Sequence, residues 1–246
     1  MSGDLMSGED ASDQSLQGLI DSLGVPVEYE LVGLALTHRS YAYEHGGIPT
    51  NERLEFLGDA ILGKSVTEML YVRFPELNEG ELAKRRASLV NTFALAEVGR
   101  RIGLGAHIQL GRGEQQSGGA DKDSILADTV EAVIGAVFLS SPDEVDAFVL
   151  RLIEPLMENP DRFGAAMDPK TSLQELAARR GLPAPVYSVT VSGPDHSRSF
   201  KATVSVGDEV TGHGIGSSKK QAEIAAALAA WTELSARADS AECESA

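Results

Sequence analysis

Two stretches of this chain are apolar enough to be buried helices, and each carries carboxylates on one face. Residues 51–62 set Glu52, Glu55 and Asp59 into an otherwise core-like run. At about 100° per residue these positions fall within roughly 60° of one another. Residues 124–139 set Asp128 and Glu131 at i and i+3 among Ile, Leu, Ala, Val and Phe. Like charges on one helix face repel, and beside apolar neighbours they are costly to desolvate. Packing the two helices with their acidic faces together, around a hard divalent cation, relieves both costs. The Ser, Ala, Gly and Val around the second pair permit that close approach. Soft ligands are missing, since no Cys lies near and no His stands at a zinc spacing. One acid-bearing helix is ordinarily a solvated face, and Arg53 could pair locally with a neighbouring acid. Two such helices in one chain weaken that reading.

The string Asn51-Glu52-Arg53-Leu54-Glu55-Phe56-Leu57-Gly58-Asp59 resembles the signature of ribonuclease III endonucleases. Ala127-Asp128-Thr129-Val130-Glu131-Ala132 resembles their second acidic motif, and Thr37-His38-Arg39-Ser40 the segment before the signature. Asn78-Glu79-Gly80, followed by Leu82-Ala83-Lys84-Arg85-Arg86-Ala87-Ser88-Leu89-Val90, matches the stretch between them. Ordered motifs are far more specific than one short pattern. The resemblance spans about 16–236. It implies metal ligands at Glu55, Asp128 and Glu131, with Asp59 pairing with Glu131 in catalysis. Glu52 and Glu79 match outer acids of the same valley. Asn51 either positions the cluster through its amide or is a plain N-cap.

Bulk properties bound the rest. The chain has 246 residues, with 42% hydrophobic content, enough for one large or two modest domains. No apolar run approaches the ~20 residues of a membrane span, and the N-terminus lacks a basic, apolar secretion signal. The single cysteine, Cys243, sits in a polar tail. These features suggest a cytoplasmic protein. A formal net charge of −16 is unexpected for a nucleic-acid binder. Residues 1–38, however, carry seven acids and no Lys or Arg. More of the excess is the acidic valley itself, which metal would partly neutralise.

Along the chain, residues 1–13 read as a disordered extension. Residues 14–157 read as an all-α catalytic domain. Its clearest helices are 31–40, 54–71, 81–99, 124–138 and 143–157, with a Gly-rich loop at 111–119. Residues 158–167 read as a linker. Residues 168–236 change texture: a helix from 171, strands near 186–192, 200–206 and 209–215, and an Ala-rich helix at 219–234. Residues 237–246 read as a disordered tail. The α-β-β-β-α order makes the second domain a small α+β unit. It resembles a double-stranded-RNA-binding domain. Thr171, Gln174 and Glu175 match its first helix, Pro194 and His196 its first hairpin loop, and Ser218, Lys219 and Lys220 the start of its last helix. Such a domain reads A-form shape and 2′-hydroxyls more than sequence.

The resemblance implies hydrolysis of duplex RNA with Mg²⁺, for which Mn²⁺ can substitute. It also implies a homodimer with two clusters in a shared valley, 5′-phosphate and 3′-hydroxyl products, and staggered cuts that process ribosomal precursors and other structured transcripts. Phe56 points away from the acid face. It either plugs a cavity on the partner, as its family counterpart does, or packs in its own core. One departure concerns residues 118–123, where relatives often carry more basic residues. Here Asp121 and Asp123 flank a single Lys122, which predicts weaker phosphate contact from this loop. The rival readings are a non-cleaving duplex-RNA binder and a helical scaffold whose acids are structural. The first would have lost a catalytic acid, and the second leaves the C-terminal motifs unexplained.

Overall fold

The computed structural model describes residues 8–158, 160–192 and 198–243. The chain forms two compact units, 1–158 and 159–246. The first is helical: α1 Gly8–Leu23, α2 Tyr29–Ala35, α3 Arg39–Glu44, α4 Glu52–Arg73, α5 Glu79–Leu89, α6 Thr92–Arg101, α7 Arg112–Gln116, α8 Asp123–Ser140 and α9 Val145–Ile153. Short 3₁₀ turns follow at Leu104–Ala106, Gly119–Asp121 and Glu154–Glu158.

Helix α8 is the axis of this unit. Every residue from Ile125 to Val137 is buried except Asp128 and Glu131, which are half-buried. A helix apolar on all sides belongs inside a bundle, and α8 packs on α2, α4, α6 and α9. Its tightest neighbour is α4, because both helices carry glycine at the crossing. A Cβ on Gly58 would stand 1.7 Å from the Glu131 carbonyl oxygen, and one on Gly135 2.4 Å from that of Leu54. The two backbones therefore touch, and Glu55 and Asp59 are set against Asp128 and Glu131.

Several sequence-based boundaries need correction. The helix expected over 31–40 is two helices. The His38 ring at the N-cap accepts the Ser40 amide and starts α3 afresh. The helix expected over 81–99 also breaks, at Asn91, whose side chain caps α6 by accepting the Ala94 amide. Pro155 has no amide hydrogen to continue α9, which gives way to a 3₁₀ turn. The loop at 111–119 contains the short α7. Helix α1 begins at Gly8, inside the extension expected to be disordered, of which residues 1–7 lie outside the described residues.

The second unit orders α10 Pro160–Met167, α11 Pro169–Arg179, β1 Val186–Ser192, β2 Ser199–Val206, β3 Val210–Gly216 and α12 Lys219–Cys243. The span 158–167, read as a linker, thus carries a helix, and its Phe163 and Ala165 are buried. The strands form an antiparallel sheet in the order β1-β2-β3. Leu173, Leu176, Val204, Val206, Trp231 and Leu234 fill the core between sheet and helices. Helix α12 lies almost on β3, where a Cβ on Gly214 would sit 2.3 Å from the Ala222 carbonyl oxygen. It runs on into the tail expected to be disordered, helped by the i,i+4 pair of Arg237 with Glu233 at 2.6 Å.

Candidate metal centre and nucleic-acid interface

Glu55 of α4 and Asp128 and Glu131 of α8 each bring a carboxylate oxygen within 4.8 Å of the others. These are the three acids that the family resemblance put forward as metal ligands. Burial, with Asp59, Asp128 and Glu55 nearby, pushes the Glu131 carboxyl up to about 8. Burial, then Asp128 and Glu52, raise Glu55, with Arg39 opposing. Burial also raises Asp128, against the pull of His38 and Arg39. Burial thus works against the charged form of Glu55, Asp128 and Glu131 alike, so the cluster is short of positive charge. All-oxygen donors at this spacing fit a hard divalent cation, and no soft ligand is in the group.

Asp59 flanks the three on α4. It is exposed, and its charge acts on Glu131. Glu52 lies at the rim and accepts the Thr50 hydroxyl at 2.9 Å. Glu79 is not brought into the cluster. It is the first residue of α5, which Asn78 and Glu81 cap, and it lines a separate, more apolar hollow with Leu70, Tyr71, Leu77, Leu82 and Arg86. Asn51 is buried and occupies the N-cap position of α4, but its side chain makes no capping hydrogen bond. It lines the acid cleft instead. Phe56 is 82% exposed, which removes the alternative of packing in its own core, while Leu54 beside it is buried.

The cleft beside the acids has a volume of about 420 Å³ and is also lined by His38, Arg39, Glu114, Lys122 and Ser124. Sequence reasoning had weighed Lys122 only as a weak phosphate contact and gave the other four no role, although the Thr37–Ser40 motif contains His38 and Arg39. The structure explains the motif. The His38 amide donates to the Gln109 carbonyl (3.2 Å), the Asn51 amide to that of Thr37 (3.0 Å), and the Gly111 amide to the Ser40 hydroxyl (2.9 Å). The segment ties one wall of the cleft to the start of α4.

In the second unit, Thr171, Gln174 and Glu175 are exposed and share one face of α11 at i, i+3 and i+4. The Ser218 hydroxyl caps α12 by accepting the Gln221 amide at 3.2 Å. Lys219 and Lys220 stand exposed in the first turn, where helix amides and dipole also attract anions. Lys170 at the start of α11 pairs with Glu223 of α12 at 2.9 Å, so the two helix starts are neighbours. Pro194 and His196 lie outside the described residues.

Comparison with known proteins decides between the readings. A profile of ribonuclease-III-like domains matches residues 28–156, and one of the double-stranded RNA binding motif matches 169–234. Ribonuclease 3 of Leifsonia xyli subsp. xyli is 68% identical over 217 residues, covering 88% of this chain and 92% of that protein. The chain belongs to the ribonuclease III family. Ribonuclease 3 of Mycobacterium tuberculosis (strain ATCC 25618 / H37Rv) is 56% identical over 225 residues, 90% of this chain and 94% of that one. Among solved structures, a nuclease domain of ribonuclease III from Campylobacter jejuni matches with a TM-score of 0.54 and 39% identity. The match spans 57% of this chain and 96% of that one. That structure is described for flexibility in a region involved in dimer formation. As a ribonuclease III-type endoribonuclease, the chain acts on double-stranded RNA and depends on a metal. No helix among the described residues is long and apolar enough to cross a membrane.

Proposed function

We propose that this chain hydrolyses phosphodiester bonds of double-stranded RNA with Mg²⁺, or Mn²⁺ in its place, and leaves 5′-phosphate and 3′-hydroxyl ends. The observation that carries the reading is the convergence of Glu55, Asp128 and Glu131 within 4.8 Å at an open cleft. These three residues would hold the ion. When bound, a divalent ion supplies a Lewis acid for the phosphoryl oxygen and lowers the pKa of the attacking water. Asp59, exposed beside Glu131, orients that water and accepts its proton. The water oxygen bonds to phosphorus, the P–O3′ bond breaks, and the 3′-oxygen takes up a proton. No side chain needs to become covalently attached.

Thr171, Gln174, Glu175, Ser218, Lys219 and Lys220, with Pro194 and His196 assigned from sequence, would grip the duplex through 2′-hydroxyls and phosphates. A second copy of this chain is the proposed partner of the nuclease unit, docking over Phe56. The exposure of Phe56 on the same helix that carries Glu55 supports this. Two clusters in one valley would then make staggered cuts. Glu79 stands outside its own protomer's cluster, so any part it plays would come through the partner's valley. The setting we assign is the cytoplasm, and the substrates are ribosomal precursors and other structured transcripts.

The test is a perfect RNA duplex incubated with Mg²⁺ and either the intact chain or Glu131→Gln. The intact chain should cut it. The variant should bind it yet cut at least about 100-fold more slowly. Equal cutting by both would refute the role of Glu131. Binding without cutting by the intact chain, across divalent metals, would favour the non-cleaving binder.

A further inference from the structure

Three basic side chains face the cleft beside the acid cluster, and two of them are already engaged. The Lys122 ammonium donates to Glu114 and to the Ser117 hydroxyl. His38 is tied through Nδ1 to the Ser40 hydroxyl at 2.7 Å and to the Ser40 amide. Arg39 is exposed and makes no ion pair or side-chain hydrogen bond among the described residues. Its charge reaches Glu55 and Asp128, yet it pairs with neither within 4.0 Å. The residues on either side of it are tied down, the His38 amide to the Gln109 carbonyl and the Ser40 hydroxyl to the Gly111 amide.

A fixed cation next to a divalent-metal site weakens metal binding unless an anion lies between the two. A planar guanidinium fork matches phosphate oxygens. The neighbouring loop supplies no competing cation. Arg100 holds both Asp121 and Asp123 at 2.6 Å, and Lys122 is spent on Glu114. We infer that Arg39 binds a substrate phosphate adjoining the one cleaved, across the cleft from Glu55 and Asp128. This rests on the reading of the acid cluster as the nuclease metal centre.

Two measurements on the full chain test it. First, Mn²⁺ is titrated into the RNA-free protein by calorimetry. Arg39→Ala should bind the ion several-fold more tightly, because a repelling charge is gone. Second, short duplexes are cut that carry one methylphosphonate at successive positions flanking the scissile bond. Arg39→Ala should cut the unmodified duplex roughly 10- to 100-fold more slowly. At one flanking position the modification should slow the parent chain but not the variant, and Arg39→Lys should recover part of the rate. An Arg39→Ala penalty that is the same on every modified duplex would overturn the inference. So would unchanged or weaker Mn²⁺ binding by the variant, with melting temperature as the check on folding. If the parent chain cuts no duplex, the reading of the cluster falls first, and the inference falls with it.

Discussion

In its proposed role as a metal ligand, Glu131 shows what a single residue gives up for function. On α8 it is flanked by the buried Val130 and Ala132, yet it carries a carboxylate that is itself half-buried. Its carboxyl is held near 8, against an ordinary 4.5, chiefly by burial and then by Asp59, Asp128 and Glu55. In the metal-free protein the folded state therefore keeps a proton that the unfolded chain releases near 4.5. Stability from this group is full below that value and is lost as pH rises toward 8. One proton corresponds to a slope of at most about 1.4 kcal/mol per pH unit. Metal binding runs the other way, tightening as pH rises through the same window, since the ligand must be deprotonated. Melting curves in EDTA between these pH values should fall steadily for the parent chain and fall less for Glu131→Gln. Identical slopes for the two proteins would show that Glu131 is not the group retaining the proton.

Between elements, the α4–α8 crossing decides whether the acids meet at all. Gly58→Ala would drive a methyl to 1.7 Å from the Glu131 carbonyl oxygen, so the helices must separate. Overpacking of this kind costs about 1–3 kcal/mol or more. Gly63, on the same helix, has nothing within 4 Å of its Cβ position. There the same change should be neutral or gain up to about 1 kcal/mol of helix propensity. Gly58→Ala should thus lower both melting temperature and Mn²⁺ affinity, while Gly63→Ala should lower neither. Matching behaviour of the two variants would mean that the close crossing does not set the site. Much of this level is legible in sequence. The acid-bearing helix faces and the strand alternation each follow from one local period, so β1 to β3 could be placed, while the resemblance selected Glu55, Asp128 and Glu131 among the acids. The breaks at His38 and Asn91 were hidden because both act through side-chain caps, which a helical apolar period does not reveal. The places of Arg39 and Glu114 were hidden because their shared cleft is made by segments about 75 residues apart.

For the whole molecule, charge divides the labour between the units. Residues 159–246 carry eleven acids against nine Lys and Arg, a net of −2, which leaves −14 for residues 1–158. The nuclease unit repels a polyanion at long range, and the loop at 118–123 offers no relief, its acids being held by Arg100 and its lysine by Glu114. In the proposed reading, initial capture of RNA falls to local cations such as Lys219 and Lys220. Each cation that contacts a phosphate adds about one to the slope of log affinity against log salt, through released counterions. Repulsion from the acidic unit is itself screened by salt, so it offsets part of that slope. The net dependence should be shallower than the number of phosphate contacts alone would give. Replacing Lys219 and Lys220 together by Gln should flatten it further, by about two, and weaken binding at low salt most. Fluorescence anisotropy of a labelled duplex across a salt series reads both effects. An unchanged slope would place the phosphate grip elsewhere and leave the two lysines as ordinary solvated charges at a helix start.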